Sequence, residues 1–298
     1  MKHWIQAARL RTLPLSISGI LVGSFYAKAY HPEQFSWLVF VLAFLTTVAF
    51  QVLSNFANDY GDGVKGTDAN RVGEKRLVAS GEISSVQMKK AVIITAFVAL
   101  TLSILLIYFS FGSKNFIFSI VFLLLGLSSI IAAIKYTVGK NAYGYSGFGD
   151  VFVFVFFGLV AVLGSSFLHS KAFDTLLILP ACAIGMLSSA VLNLNNMRDE
   201  NSDKIVGKNT LVVKIGGAKA KLYHYFLIIG AMLLVVTFAV LSNFKIEQYV
   251  FAVAYFPLIN HLKTVYKCQD NRSLDPQLKT LAISTFLLSL ILSLALIF

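Results

Sequence analysis

Long apolar runs alternate with short charged loops along this chain, and that pattern restricts it to a helical membrane protein. Runs long enough to cross about 30 Å of hydrocarbon as helices fall at 12–30, 36–56, 90–111, 115–134, 150–168, 174–194, 222–243, 247–262 and 279–298. A backbone in lipid must satisfy its own hydrogen bonds, so these runs predict an all-α polytopic fold of about nine spans. The eighth run is the weakest, because Pro257, Asn260 and His261 interrupt it. Composition agrees: 57% of the 298 residues are hydrophobic and 13% are charged, roughly half the charged share of a soluble domain. The first run, Leu13 to Ala29, lacks a small-x-small cleavage site and reads as a retained span.

The net charge of +11 does not point to nucleic acid, because the basic residues sit in short loops between spans. With a cytoplasmic N-terminus, 21 Lys and Arg residues fall on the cytoplasmic side and four on the other: Lys28, Lys114, Lys171 and Lys245. That asymmetry sets the expected orientation. Eleven of the fourteen Asp and Glu residues share the cytoplasmic side, which the positive-inside rule does not require. Cys182 and Cys268 form no CxxC pair and read as structural.

The acids gather in two clusters. The first, NDYGDGVKGTD from Asn58 to Asp68, ends span 2; the second, NLNNMRDENSDKIVGKNT from Asn193 to Thr210, ends span 6. Each contains Asn-x-x-x-Asp, as Asn58–Asp62 and Asn195–Asp199, and Asp203 extends the second series. Residues four apart share a helix face, so Asn195, Asp199 and Asp203 form one oxygen-bearing stripe. Carboxylates brought together repel unless cations intervene, and their oxygens suit Mg²⁺, which typically bridges one or two carboxylates to substrate phosphates. The interleaved bases Lys65, Arg71, Lys75, Arg76, Arg198, Lys204 and Lys208 suit the remaining phosphate oxygens. Solvated loops are the alternative reading of either cluster alone; the repeated spacing on one side disfavours it for both.

The stretches NDYGDGVKGTD, RVGEKRLVASGEIS, GFGDVFVFVFFGLVAVLGS and NNMRDENSDKIVGKNTLVVKIG resemble the UbiA superfamily of intramembrane aromatic prenyltransferases. They are most similar to the branch that prenylates 1,4-dihydroxy-2-naphthoate in menaquinone synthesis. The resemblance covers most of the chain and implies one transmembrane domain, 1–298, in a bacterial cytoplasmic (inner) membrane. It implies nine helices around a central cavity, capped by cytoplasmic Asp-rich loops and open sideways to lipid. A polyprenyl diphosphate and Mg²⁺ would bind under that cap. The expected metal ligands are Asn58, Asp62, Asn195, Asp199 and Asp203. The family's usual third acid of the first motif would fall at position 66, which is Gly here, so Asp68 is the nearest replacement.

The implied reaction transfers the polyprenyl group with loss of CO₂ and diphosphate, giving a demethylmenaquinone. Asp62 and Asp199 are the acids on which turnover should depend, and Asp59 is a candidate base for a naphthol hydroxyl. Lys135, in IKYTVGK, matches a basic position that the resemblance associates with diphosphate; a membrane anchor is the competing reading. Tyr143 and Tyr145 are candidates for the acceptor pocket. Arg9 and Arg11 could steer the acceptor's carboxylate or anchor the chain. Asp150 is placed as the N-cap of span 5. Competing functions are a sister enzyme using 4-hydroxybenzoate, homogentisate or haem, a transporter with an acidic vestibule, and a CDP-alcohol phosphatidyltransferase. The DG-x-x-AR signature of the last is missing from the chain.

Overall fold

The computed structural model describes residues 2–67 and 74–298, and these are helical with no strand among them. A short α1, Lys2–Ala8, leads into α2, Leu13–Tyr30, with Pro14 in its first turn. There follow α3, Trp37–Lys65; α4, Ser85–Phe111; and α5, Phe116–Lys135. The next span, α6, runs Gly149–Ser170 with a π-helical stretch at Phe154–Val160. Then come α7, Ile178–Ile205; the short α8, Leu211–Ile215; α9, Gly217–Leu241; α10, Tyr255–Lys267; and α11, Asp275–Ala295.

Polar residues at the run edges start and stop these helices. Ser36 accepts from the Val39 amide at the start of α3. Ser84 and Gln87 form a reciprocal capping box at α4. Thr210 accepts from the Val213 amide to begin α8. At the end of α3, Gly66 takes a left-handed turn at φ 71°, a conformation that costs glycine little.

Eight helical segments among the described residues are long and apolar enough to cross a membrane. The ninth expected run folds in two pieces, a 3-10 stretch at Ile246–Ala254 and then α10. Pro257 falls in the first turn of α10, where its missing N–H removes no intrahelical bond. The polar His261 of this run is buried, and its partners explain how. His261 Nδ1 is 2.8 Å from Gln277 Oε1, and its Nε2 is 2.8 Å from His224 Nε2. His224 Nδ1 lies 3.5 Å from Asn193 Nδ2, which donates to the Ala220 carbonyl. The hydrogen-bond pattern assigns both imidazoles as neutral, donating in one direction from Asn193 toward Gln277. This polar thread joins α7, α9, α10 and α11.

The helices form two packed groups. One apolar core joins α7, α9, α10 and α11; another joins the later turns of α3 to α4 and α5. Between them α2 packs on both α6 and α11. Small residues permit the close approach: a Cβ at Gly23 of α2 would lie 2.0 Å from the Val162 carbonyl oxygen of α6. Gly158 and Gly185 make a similar contact between α6 and α7, where a Cβ on Gly158 would come within 2.6 Å of Ala181 O. The two groups leave a central cavity of about 390 Å³.

Candidate active site

The cavity is apolar through most of its depth and polar at one end, where the two acidic clusters meet. On α3 the spacing 51, 55, 58, 62 follows the helical repeat, so Gln51, Asn55, Asn58 and Asp62 all line it. Hydrogen bonds fix this wall. Asn55 Nδ2 donates to Ala8 O at 2.8 Å and to Thr12 Oγ1 at 3.1 Å, and Gln51 Nε2 donates to Thr12 Oγ1 at 3.2 Å. Across the cavity, Ser188, Leu192 and Asn195 occupy one face of α7.

Asp62 is buried, with 2% of its surface exposed. The Tyr145 hydroxyl donates to its Oδ1 at 2.7 Å and sits 3.0 Å from Thr67 Oγ1. The Tyr145 ring lies 4.0 Å from Lys65 Nζ and 5.3 Å from Lys208 Nζ, both within cation–π range. Its carbonyl accepts from the Asn209 amide at 3.1 Å. Tyr145 therefore clasps the first cluster to the second. Replacing Tyr145 by Phe keeps the ring for both lysines and removes the bond to the carboxylate. The expected result is a fall in kcat/KM of about tenfold or more, on the scale of a hydrogen bond to a charged group, with an unchanged circular dichroism spectrum.

On α7 the side chains near the mouth are organised by Arg198, which is 3% exposed. Its Nε and Nη2 each lie 2.7 Å from an oxygen of Asp199, a bidentate fork. Nη2 also reaches Asn195 Oδ1 at 2.9 Å, and Nη1 reaches Asp275 Oδ1 of α11 at 2.5 Å. Lys208 lines the cavity and lies 4.0 Å from Asp203. Arg9, Arg11, Arg76 and Glu74 complete the polar end, with Arg11 Nη2 2.9 Å from Glu74 Oε2. Arg9 holds a left-handed backbone at φ 50°, strained for a side chain with a Cβ. Its Nη2 is buried with no partner among the described residues. Tyr136 and Tyr143 also line the cavity. Burial, and then the nearby Asp150 carboxylate, raise the Tyr136 phenol above its ordinary value; burial does the same for Tyr143. Both remain neutral at physiological pH.

Of the expected ligands Asn58, Asp62, Asn195, Asp199 and Asp203, only Asn58, Asp62 and Asn195 line the cavity; Asp199 and Asp203 lie outside that lining, and both Asp199 oxygens are held by Arg198. All five carry carboxylate or amide oxygens, the donors a hard divalent cation takes. Among the described residues, no group of three or more Asp, Glu, His or Cys side chains is placed to hold a metal ion by itself. That donor set fits Mg²⁺ completed by phosphate oxygens rather than held by protein alone.

The profile of the UbiA prenyltransferase family matches residues 16–290. The chain belongs to the UbiA prenyltransferase family. A 1,4-dihydroxy-2-naphthoate octaprenyltransferase of Haemophilus influenzae is 40% identical over 298 residues, all of this chain and 96% of that protein. The protein of the same name from Escherichia coli is 41% identical over 93% of this chain and 89% of its own length. A UbiA homolog from Archaeoglobus fulgidus, solved with DMAPP and Mg²⁺, superposes with a TM-score of 0.66 at 17% identity. The match covers 99% of this chain and 98% of that one, and shows the shared fold.

Several expected site residues of this UbiA-family chain sit elsewhere. Asp59 does not line the cavity: its Oδ2 and Oδ1 accept from the Leu77 and Val78 amides, each at 3.1 Å. One residue beyond Asn58 turns it about 100° around the helix, so it holds the following loop rather than facing the cavity. Lys135 is exposed and lines no part of the cavity, in keeping with an anchor. Arg198 is committed to Asp199, Asn195 and Asp275 rather than presented to a diphosphate. Lys65 also lies outside the cavity lining and donates to Thr137 O at 2.8 Å. Tyr143 does face the cavity, stacked on Phe152 at 4.0 Å, whereas Tyr145 forms the clasp. Asp150 lies in the first turn of α6, whose N-cap is Phe148. Asp68 and Arg71 lie outside the described residues. Sequence reasoning missed Asn55, Thr12, Glu74 and Lys279, all of which line the cavity. The polar spacing within α3 could have revealed Asn55.

Proposed function

We propose that this chain transfers a polyprenyl group from polyprenyl diphosphate to 1,4-dihydroxy-2-naphthoate, releasing diphosphate and CO₂. One observation carries the reading: a single cavity joins an apolar chamber, suited to isoprene units, to a mouth where Asn58, Asp62 and Asn195 face Lys208 and Arg76. The relatives named 1,4-dihydroxy-2-naphthoate octaprenyltransferase favour that acceptor. The charge asymmetry of the loops supports a mouth and an N-terminus on the cytoplasmic side of a bacterial inner membrane.

Asn58, Asp62, Asn195, Asp199 and Asp203 would hold Mg²⁺ against the diphosphate, with Lys208 and Arg76 on oxygens left free. Bound there, the metal would neutralise charge developing on the leaving group. Arg9 and Arg11 present guanidinium groups to the acceptor's carboxylate. The buried Nη2 of Arg9 offers a donor, and Glu74 orients Arg11. The allylic C1–O bond breaks with its electron pair going to diphosphate. The ring carbon bearing the carboxylate bonds to C1. The bond to the carboxylate then breaks, CO₂ leaves, and its electron pair restores the aromatic ring. The product is a prenylated naphthohydroquinone, the reduced form of a demethylmenaquinone.

The test is a product assay on purified protein with farnesyl diphosphate and Mg²⁺, offering 1,4-dihydroxy-2-naphthoate or 4-hydroxybenzoate. The expected result is a prenylated naphthohydroquinone, or the quinone that air makes of it during work-up, and CO₂ from the first alone. Excess EDTA should abolish product and added Mg²⁺ should restore it; product undiminished by chelation would refute the metal site. Product only from hydroxybenzoate would move the chain to the sister reaction.

A further inference from the structure

One wall of the cavity is a row of aromatic rings that descends from the mouth into the apolar chamber. Tyr136, Tyr143, Phe152 and Phe156 all line it. Tyr136 meets Tyr143 edge to face at 5.3 Å. Tyr143 stacks on Phe152 at 4.0 Å and 23°, and Phe152 stacks on Phe156 at 6.1 Å and 18°. The Tyr143 hydroxyl donates to Ala132 O at 2.9 Å, which fixes the mouth end of the row. Rings whose faces are turned on one another leave their edges to meet the cavity.

The π-helical stretch of α6 holds this row in place. Along α6 the cavity takes Phe152, Phe156, Val160, Gly164 and Leu168, at a constant spacing of four. In an unbroken α-helix that spacing would swing about 40° per step and about 160° over the series, and the last members would face away. The wider turn at Phe154–Val160 takes up the drift, and such bulges recur at functional sites. Gly158 seats it against α7, where a Cβ would fall 2.6 Å from both Ala181 O and Gly185 Cα.

An aromatic ring is partly positive at its edge and partly negative on its face. A wall of edges therefore suits the face of an electron-rich ring and is a poor partner for a cation. Phe152 and Phe156 stand 6.1 Å apart, so a single six-membered ring covers one edge, while a fused pair laid along the wall meets both. Helix α2 packs on α6, and the turn just before α2 carries Arg9 and Arg11, which line the same cavity. An acceptor whose carboxylate reaches those guanidinium groups can lay its rings against this row. We propose that Phe152 and Phe156 read the second ring of the acceptor, making the site selective for a fused bicyclic, electron-rich aromatic over a monocyclic one. The proposal rests on the prenyltransferase reading above.

The test measures KM for 1,4-dihydroxy-2-naphthoate and for farnesyl diphosphate in the full-length protein with Mg²⁺. In Phe156→Leu, and in Phe156→Met, which keeps most of the volume, the naphthoate KM should rise about two- to tenfold, the scale of one aromatic contact. The donor's KM should stay unchanged. A rise in the donor's KM instead would put the prenyl chain on the row and overturn the proposal. No turnover of any acceptor by the wild type would defeat the functional reading, and a binding measurement still decides this one. Without donor, Phe156→Leu should weaken binding of 1-hydroxy-2-naphthoate by the same factor and leave 2-hydroxybenzoate, its one-ring counterpart, unchanged. Equal weakening of both ligands, weakening of neither, or no preference of the wild type for the two-ring ligand would overturn the proposal.

Discussion

Asp62→Ala should abolish turnover while the protein remains folded in detergent. Asp62 is the one cavity-lining carboxylate of the first cluster among the described residues, and the Tyr145 hydroxyl already points one oxygen into a fixed orientation. Losing a preorganised group that stabilises developing charge costs about 10²–10³ in kcat; losing a metal ligand adds to that. The alanine removes a buried acid that accepts from Tyr145 beside Lys65 and Lys208, so a lower melting temperature is expected, and the folded state is checked separately. The check is product formation alongside circular dichroism melting. Activity within threefold of wild type would sink the two-cluster site, whatever the melting temperature.

Arg198→Ala should damage both stability and activity. The guanidinium sits with 1% of its side chain exposed, against an Asp199 carboxylate at 5%. Removing one member of a buried pair leaves the other charged and unpaired, at about 3–5 kcal/mol. Asn195 and Asp199 would lose the fork that orients them, so turnover should fall as well. Arg198→Lys should recover little, because an ammonium cannot make the bidentate bonds. Asp275→Asn should be milder, because that carboxylate is 31% exposed and its loss leaves the fork intact. An unchanged melting temperature in Arg198→Ala would show that the arginine does not organise the second motif.

The spans and the two motif helices were legible because each is a local signal. Apolar runs declare helices in lipid, and a spacing of four declares a shared face. The same rule misplaced Asp59 only because neighbouring acids look alike in one dimension; on the helix, the Asn58 and Asp59 directions diverge. Gln51 and Asn55 were legible in principle, since they continue the stripe of Asn58 and Asp62 into an apolar helix. Tyr145 and Arg198 were not. Each draws its role from partners on other elements: Tyr145 from Asp62, Thr67 and Asn209, and Arg198 from Asp275. Nothing within their own segments records those distances.

The ion pair between Arg198 and Asp275 has a bearing on how the protein is made. The motif on α7 leaves the ribosome before α11 does, and the carboxylate that completes its anchoring comes from the first turn of α11. So does Gln277, the terminus of the polar thread through His261 and His224. A nascent chain inserted only through α9 therefore carries every recognised acid yet lacks the last tie on the arginine that aligns them. Full anchoring of Arg198 arrives only with the final helix.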